Sequence, residues 1–142
     1  DLYARKVVGW AISDKAQTEL VIKALDDAYR RRGKPSGVTF HSDQGAQYTS
    51  LKYRQQLRRY RMQQSMSRRG NCHDNAVAES FFSLLKSERV KRKIYKDRET
   101  ARQDIFDYIE MFYNPTRKHT NNGMLSPVDY ETEQRKMNEA GV

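Results

Sequence analysis

The chain has 142 residues, 37% hydrophobic and 11% aromatic, which suits one domain with a single core and a heavily charged surface. Its 27 Lys and Arg against 18 Asp and Glu give a net charge of +9, which favours a polyanion as partner, most simply nucleic acid; the bland alternative is a basic protein with no such ligand. The single cysteine, Cys72, excludes an intrachain disulfide framework and a cysteine-built zinc site, and no run approaches the roughly 18 apolar residues of a membrane span. No signal peptide opens the chain, so a reducing, cytoplasmic setting is expected, with nucleoid association when bound to DNA.

Residues 6–13 are rich in β-formers and predict a strand, entered by a turn over residues 2–5. Ala16, Leu20, Val21, Ala24, Leu25, Ala28 and Tyr29 recur at helical spacing; Ser13 or Asp14 is the expected cap, and Arg30, Arg31 and Arg32 suit the C-terminal end. A loop over 33–37 precedes a strand over 38–42 that delivers Asp43 at its C-terminal end. Residues 44–49 read as a connector, and Ser50 caps a helix running to about Arg59. Residues 62–66 predict a short strand and residues 67–74 a polar loop, ending at Asp74 or Asn75 as cap of the next helix. In that helix, at about 100° per residue, Asn75, Glu79, Ser83 and Lys86 share one face and Val77, Phe81, Leu84 and Leu85 cover the other. Ala101, Ile105, Tyr108, Ile109 and Phe112 mark a further helix ending near Asn114 and Pro115, followed by turns and a short terminal helix. Alternating strands and helices predict a mixed α/β layer with a parallel portion in its sheet, whose functional groups gather beyond the carboxyl ends of the strands.

Asp43 and Glu79 are separated by 35 residues, and Lys86 follows seven positions later. A carboxylate at a strand end and another on a neighbouring helix can converge on a divalent cation, with a lysine further along to meet phosphate. Singly, each residue has an ordinary explanation: a turn aspartate, a solvated helix glutamate, a lysine in a surface ion pair. His41, His73 and His119 make no helical or hairpin metal pair; His41 is expected packed or hydrogen-bonded beside the strand. Cys72 has no identifiable base to activate it as a nucleophile.

Several stretches resemble the catalytic core of insertion-sequence transposases of the OrfB class, relatives of retroviral integrases. These are residues 1–10, the segment His41-Ser-Asp-Gln-Gly-Ala-Gln-Tyr-Thr-Ser50, the segment around Gly70-Asn-Cys-His-Asp-Asn-Ala-Val-Ala-Glu79, and the words Tyr113-Asn-Pro-Thr-Arg-Lys-His119 and Ser126-Pro-Val-Asp-Tyr130. The resemblance implies an RNase H-like α/β fold, a mixed sheet with flanking helices, over residues 1–130, with residues 131–142 as a tail. It implies a DDE carboxylate set in which Asp43 is the second member and Glu79 the third, both catalytic and both metal ligands. The cofactor it implies is Mg²⁺ or Mn²⁺ in a two-ion site, the ions about 3.5–4 Å apart.

The basic run Arg68 and Arg69 reads either as a contact to DNA backbone or as a solvated loop; the resemblance implies DNA contacts at Lys86, Arg117 and Lys118, the partner being transposon ends and target DNA, and the sheet edge that missing strands would leave unpaired predicts a homo-oligomer. The family's first aspartate lies on an earlier strand; Asp1 matches a different residue, so the reading expects an N-terminal truncation lacking two strands and one ligand. The corresponding function is metal-dependent cleavage and strand transfer by the intact enzyme, with this portion alone inactive. The competing readings are a non-catalytic DNA-binding or oligomerising remnant and an RNase H-like nuclease acting on RNA–DNA hybrids.

Overall fold

The computed structural model describes residues 1–68 and 75–141. It divides into two compact units: Val8–Glu79, and Asp1–Val7 together with the chain from Ser80 onward.

The Val8–Glu79 unit holds α1 (Thr18–Arg31), β1 (Thr39–Ser42), α2 (Ala46–Thr49), α3 (Leu51–Arg59), β2 (Gln63–Met66) and the start of α4 (Ala76–Leu85). β1 and β2 pair in parallel, Thr39 opposite Gln63 through Ser42 opposite Met66, and α2 and α3 make the crossover that parallel strands require. Backbone bonds from Gln63 N to Val38 O and from Ser67 N to Ser42 O extend the ladder at both ends. The core is Leu25, Tyr53 and Leu57, surrounded by Val21, Ile22, Phe40, Tyr48, Tyr60 and Met62. Phe40 and Tyr48 both meet the Tyr53 ring edge-on at 5.4 Å, the geometry that aromatic quadrupoles favour.

The helix read from residues 16–29 forms, but it starts at Thr18 behind Gln17, which makes no side-chain cap. The expected cap residue Ser13 instead accepts the Lys15 N–H at 3.2 Å, closing a local turn before the helix begins. Ser50 does cap α3, its hydroxyl accepting the Tyr53 N–H at 3.2 Å, and the helix ends at Arg59 as its spacing predicts.

The strand expected over residues 6–13 does not form. Its β-prone residues have no ladder partner, and side chains take its backbone groups instead. Trp10 N–H donates to Asp27 Oδ2 at 3.3 Å. Gly9 lies directly on α1: a Cβ there would stand 2.5 Å from Ala28 N and 2.6 Å from Ala24 O.

In the other unit, α4 runs into a π turn, Lys86–Val90, and α5 (Arg98–Phe106) continues as a π segment, Asp107–Tyr113. Asp97 caps α5 by accepting the Thr100 N–H at 2.8 Å. Bonding from residue i to i+5 brings side chains five apart close to one face, and Tyr108 and Tyr113 are both buried, with Ile109 between them. A 3₁₀ turn (Thr120–Asn122) leads to α6 (Pro127–Ala140), where Ser126 accepts the Asp129 N–H and Pro127 takes the first helical position. At 14 residues α6 is longer than the short helix expected, and residue 130 falls inside it. Two buried asparagines tie the N-terminal segment to this unit. Asn114 accepts Val7 N–H at 3.0 Å and donates to Val7 O at 2.9 Å, while Asn122 Nδ2 donates to Ala4 O at 2.8 Å. The turn expected over residues 2–5 is present, with Asp1 Oδ1 accepting the Ala4 N–H at 2.8 Å.

Candidate metal and nucleic-acid site

Asp43 stands one residue beyond β1, exposed, at the carboxyl end of a parallel strand. Its Oδ1 accepts the Gly45 N–H at 2.7 Å, a turn that fixes one carboxylate oxygen and leaves the other without a hydrogen bond among the described residues. A Cβ on Gly45 would lie 2.9 Å from that Oδ1 and 3.0 Å from Gln47 Oε1, so any larger residue displaces the carboxylate. The Tyr48 hydroxyl has its pKa raised by burial and, second, by the charge of Asp43. Next to Asp43 on the strand, His41 Nδ1 meets Ser65 Oγ of β2 at 2.9 Å, the strand-side hydrogen bond expected of it.

Glu79 lies in the first turn of α4, exposed and without a hydrogen bond or ion pair among the described residues. Of the face assigned from periodicity, Glu79, Ser83 and Lys86 are exposed and Asn75 is half-buried; Val77, Phe81, Leu84 and Leu85 opposite are half-buried too. Phe81 packs edge-on against Tyr113 at 5.1 Å.

A single serine joins the segments that carry the two carboxylates. Ser67, 4% exposed, donates its backbone N–H to Ser42 O at 2.8 Å and accepts Gln44 Nε2 on its carbonyl at 3.1 Å. Its hydroxyl accepts Asn75 Nδ2 at 3.1 Å. Both neighbours of Asp43 and the residue one helical turn before Glu79 are therefore fixed to the same buried group.

Asp43 and Glu79 present carboxylate oxygens, hard donors of the kind preferred by Mg²⁺ and Mn²⁺. Among the described residues no cluster of three or more His, Cys, Asp or Glu is arranged to hold a metal, so Asp43 and Glu79 stand without a third such group. Asp1, in the first of the family-like segments, is engaged in its own turn.

The basic residues singled out from the sequence differ in their surroundings. Lys86 and Lys118 are exposed, with no side-chain partner among the described residues. Arg117 is committed to Glu88, its Nε 2.6 and 3.1 Å from the two carboxylate oxygens. His119 is half-buried against the Tyr113 ring at 5.1 Å, with its pKa lowered by burial and then by Arg117 and Arg5. Arg68 is exposed at the end of a described segment, and Arg69, Cys72, His73 and Asp74 lie outside the described residues.

Two family models, both described as integrase core domain, match residues 1–72 and 79–134. The chain belongs to the integrase core domain family. Among curated relatives, the transposase for insertion sequence element IS904 of Lactococcus lactis is 42% identical over 131 residues, covering 92% of this chain and 52% of that protein. Transposase InsF for insertion sequence IS3A of Escherichia coli K12 is 43% identical over 131 residues, covering 92% of this chain and 46% of that protein. The integrase-core chain thus spans about half the length of these relatives. A chain of the simian T-cell lymphotropic virus intasome, solved in complex with PP2A regulatory subunit B56 gamma, matches with a TM-score of 0.58 at 13% identity, covering 81% of this chain and 40% of that one. The mixed α/β, RNase H-like fold implied by the sequence motifs is the fold observed. No helix among the described residues is long and apolar enough to cross a membrane.

Ser67 and Gln44 were not legible as site residues. Each is an ordinary polar residue in a segment without periodicity, and only burial of Ser67 beside the strand end gives it a role. Asn75 carried a partial signal, since it shares the Glu79 face.

Proposed function

We propose that this chain is the catalytic-core portion of a DNA transposase in which Asp43 and Glu79 hold a divalent metal, Mg²⁺ or Mn²⁺, and Lys86 contacts a DNA phosphate. The observation that carries this reading is the attachment of both carboxylate-bearing segments to Ser67. Membership of the integrase core family and the transposase relatives support it. Asp43 offers one oxygen while Gly45 N–H steadies the other, and Glu79 offers from a helix a carboxylate unengaged among the described residues. Metal bound there would supply Lewis-acid stabilisation to the attacking and leaving oxygens of an in-line displacement at phosphorus. Lys86 acts as a point charge on phosphate.

In the intact protein the reaction is hydrolysis at the transposon end, which frees a 3′-OH, followed by attack of that oxygen on a target phosphodiester. The chain's own contribution is to position charge where two DNA segments meet. Homo-oligomerisation belongs to the same reading: among the described residues the sheet has two parallel strands, each with an outer backbone edge that another strand or chain can cover.

The test is strand transfer by the full-length protein carrying Asp43→Asn or Glu79→Gln, with labelled transposon-end DNA and Mg²⁺. Loss of joined product to below about a thousandth of wild type is expected, the scale of removing transition-state charge stabilisation. Appreciable Mg²⁺-dependent product from either variant overturns the assignment.

One observation favours a second reading, a DNA-binding or oligomerising remnant: Asp43 and Glu79 are without a third acidic partner among the described residues. Gel-shift binding by this chain, with metal-dependent joining absent from every longer protein that carries it, would select the remnant.

A further inference from the structure

The π turn Lys86–Val90 delivers the chain into a short loop before α5 that is densely basic and carries one apolar residue at its tip. Ile94 is 99% exposed, far more than any other large apolar side chain among the described residues. Its two neighbours explain why it points away from the protein. Lys93 Nζ and the Tyr95 hydroxyl both reach Asp104 Oδ2, at 3.1 and 2.5 Å, and Arg89 Nη1 holds Asp104 Oδ1 at 2.9 Å. With the side chains of residues 93 and 95 both held to Asp104, residue 94 between them is left in solvent. Asp104 is therefore a clamp that presents Ile94 in a fixed place, so little ordering entropy is left to lose on binding.

The remaining cations of the loop are available. Lys91, Arg92 and Lys96 are exposed and have no side-chain partner among the described residues, and Arg92 makes the chain reversal at φ 65°. The acids around the loop each have a partner: Asp104 the clamp, Asp97 the N-terminus of α5, Glu88 Arg117, Glu99 Arg102 at 3.8 Å, and Asp107 the Gln103 amide at 3.1 Å. A protein partner is disfavoured by this chemistry, because lysine is depleted from protein interfaces and one isoleucine makes too small an apolar patch. An apolar side chain flanked by cations is the arrangement with which proteins enter the minor groove of duplex DNA.

We propose that residues 91–96 are a further contact for duplex DNA, in which Lys91, Arg92 and Lys96 meet backbone phosphates and Ile94 enters the minor groove. The inference rests on the reading of this chain as acting on DNA. It is tested by fluorescence anisotropy of a labelled random-sequence duplex titrated with the full chain across a salt series, circular dichroism checking that each variant is folded. The combined Lys91→Gln, Arg92→Gln and Lys96→Gln variant should bind at least about tenfold more weakly, and the slope of log K against log salt should fall by about 2–3, one phosphate contact per lost cation.

Ile94→Ser should weaken binding about three- to tenfold with the slope unchanged, since the side chain is uncharged. The control removes equal charge elsewhere: Lys15→Gln, Lys23→Gln and Lys34→Gln together, which should cost less than the loop variant. If wild type binds but the loop and control variants lose equally, or Ile94→Ser binds as wild type does, the loop inference falls and the DNA reading stands. If Ile94→Ser alters only self-association in sedimentation, the tip serves a second copy of the chain and the inference is overturned. If wild type shows no salt-dependent DNA binding, the DNA reading fails and takes the loop with it.

Discussion

Ser67 accepts the side-chain amide of Asn75 on its hydroxyl at 3.1 Å while its own backbone N–H remains in the ladder with Ser42. One buried residue thereby carries two connections of different kinds. The backbone bond belongs to the sheet, whose end places Asp43; the side-chain bond reaches the residue that starts the Glu79 helix. Removing the hydroxyl should leave the first connection intact and break the second.

Ser67→Ala and Asn75→Ala should each destabilise the protein by about 1 kcal/mol, with a coupling of about 0.5–1.5 kcal/mol in the double-mutant cycle. Urea denaturation of the four proteins measures this. Strict additivity would mean that the bond does not link the two segments.

Gly9→Ala should destabilise by about 1–3 kcal/mol, because its Cβ meets helix backbone at Ala24 and Ala28 rather than a side chain that can move. A melting temperature within a degree or so of wild type would show that Gly9 does not lie on α1 as described.

Acid stability should depend on Asp104. Burial acts to raise its pKa, but hydrogen bonds from Tyr95, Arg89 and Lys93 outweigh burial and hold the carboxyl at about 2. A carboxyl depressed in the folded state stabilises above its unfolded value, about 3.9, and loses that contribution as pH falls through about 2. Asp104→Asn should therefore cost about 1–3 kcal/mol near neutrality and progressively less below about pH 4. Urea midpoints measured across that range check the sign; a penalty that grows with acidity would contradict the clamp.

Most helices were legible because they bury a stripe: Val21 and Leu25 in α1, and Tyr53 and Leu57 in α3, recur at the helical period and form or flank the core. Strands β1 and β2 were legible from short β-prone runs that find each other as partners. Residues 6–13 carry the same composition but no partner, and composition cannot supply one. Their backbone groups go instead to Asn114 and Asp27, which are distant in sequence and ordinary in type. The π segments were equally hidden, since a shift from i+4 to i+5 bonding leaves the apolar pattern nearly unchanged. At the candidate site, Asp43 and Glu79 were visible through spacing and family words, whereas the role of Ser67 exists only in three dimensions. Arg117 shows the converse: a cation in a family motif that the fold engages with Glu88.

The central claim is that Asp43 and Glu79 share a cation, and the most direct measurement is metal-directed backbone cleavage of the full-length protein. Fe²⁺ with ascorbate, bound in place of Mg²⁺, should cut the chain near both residue 43 and residue 79, and excess Mn²⁺ should suppress both cuts together. Either Asp43→Asn or Glu79→Gln should abolish the pair. Cleavage confined to one of the two segments, or persisting near one after the other carboxylate is removed, would contradict a shared site.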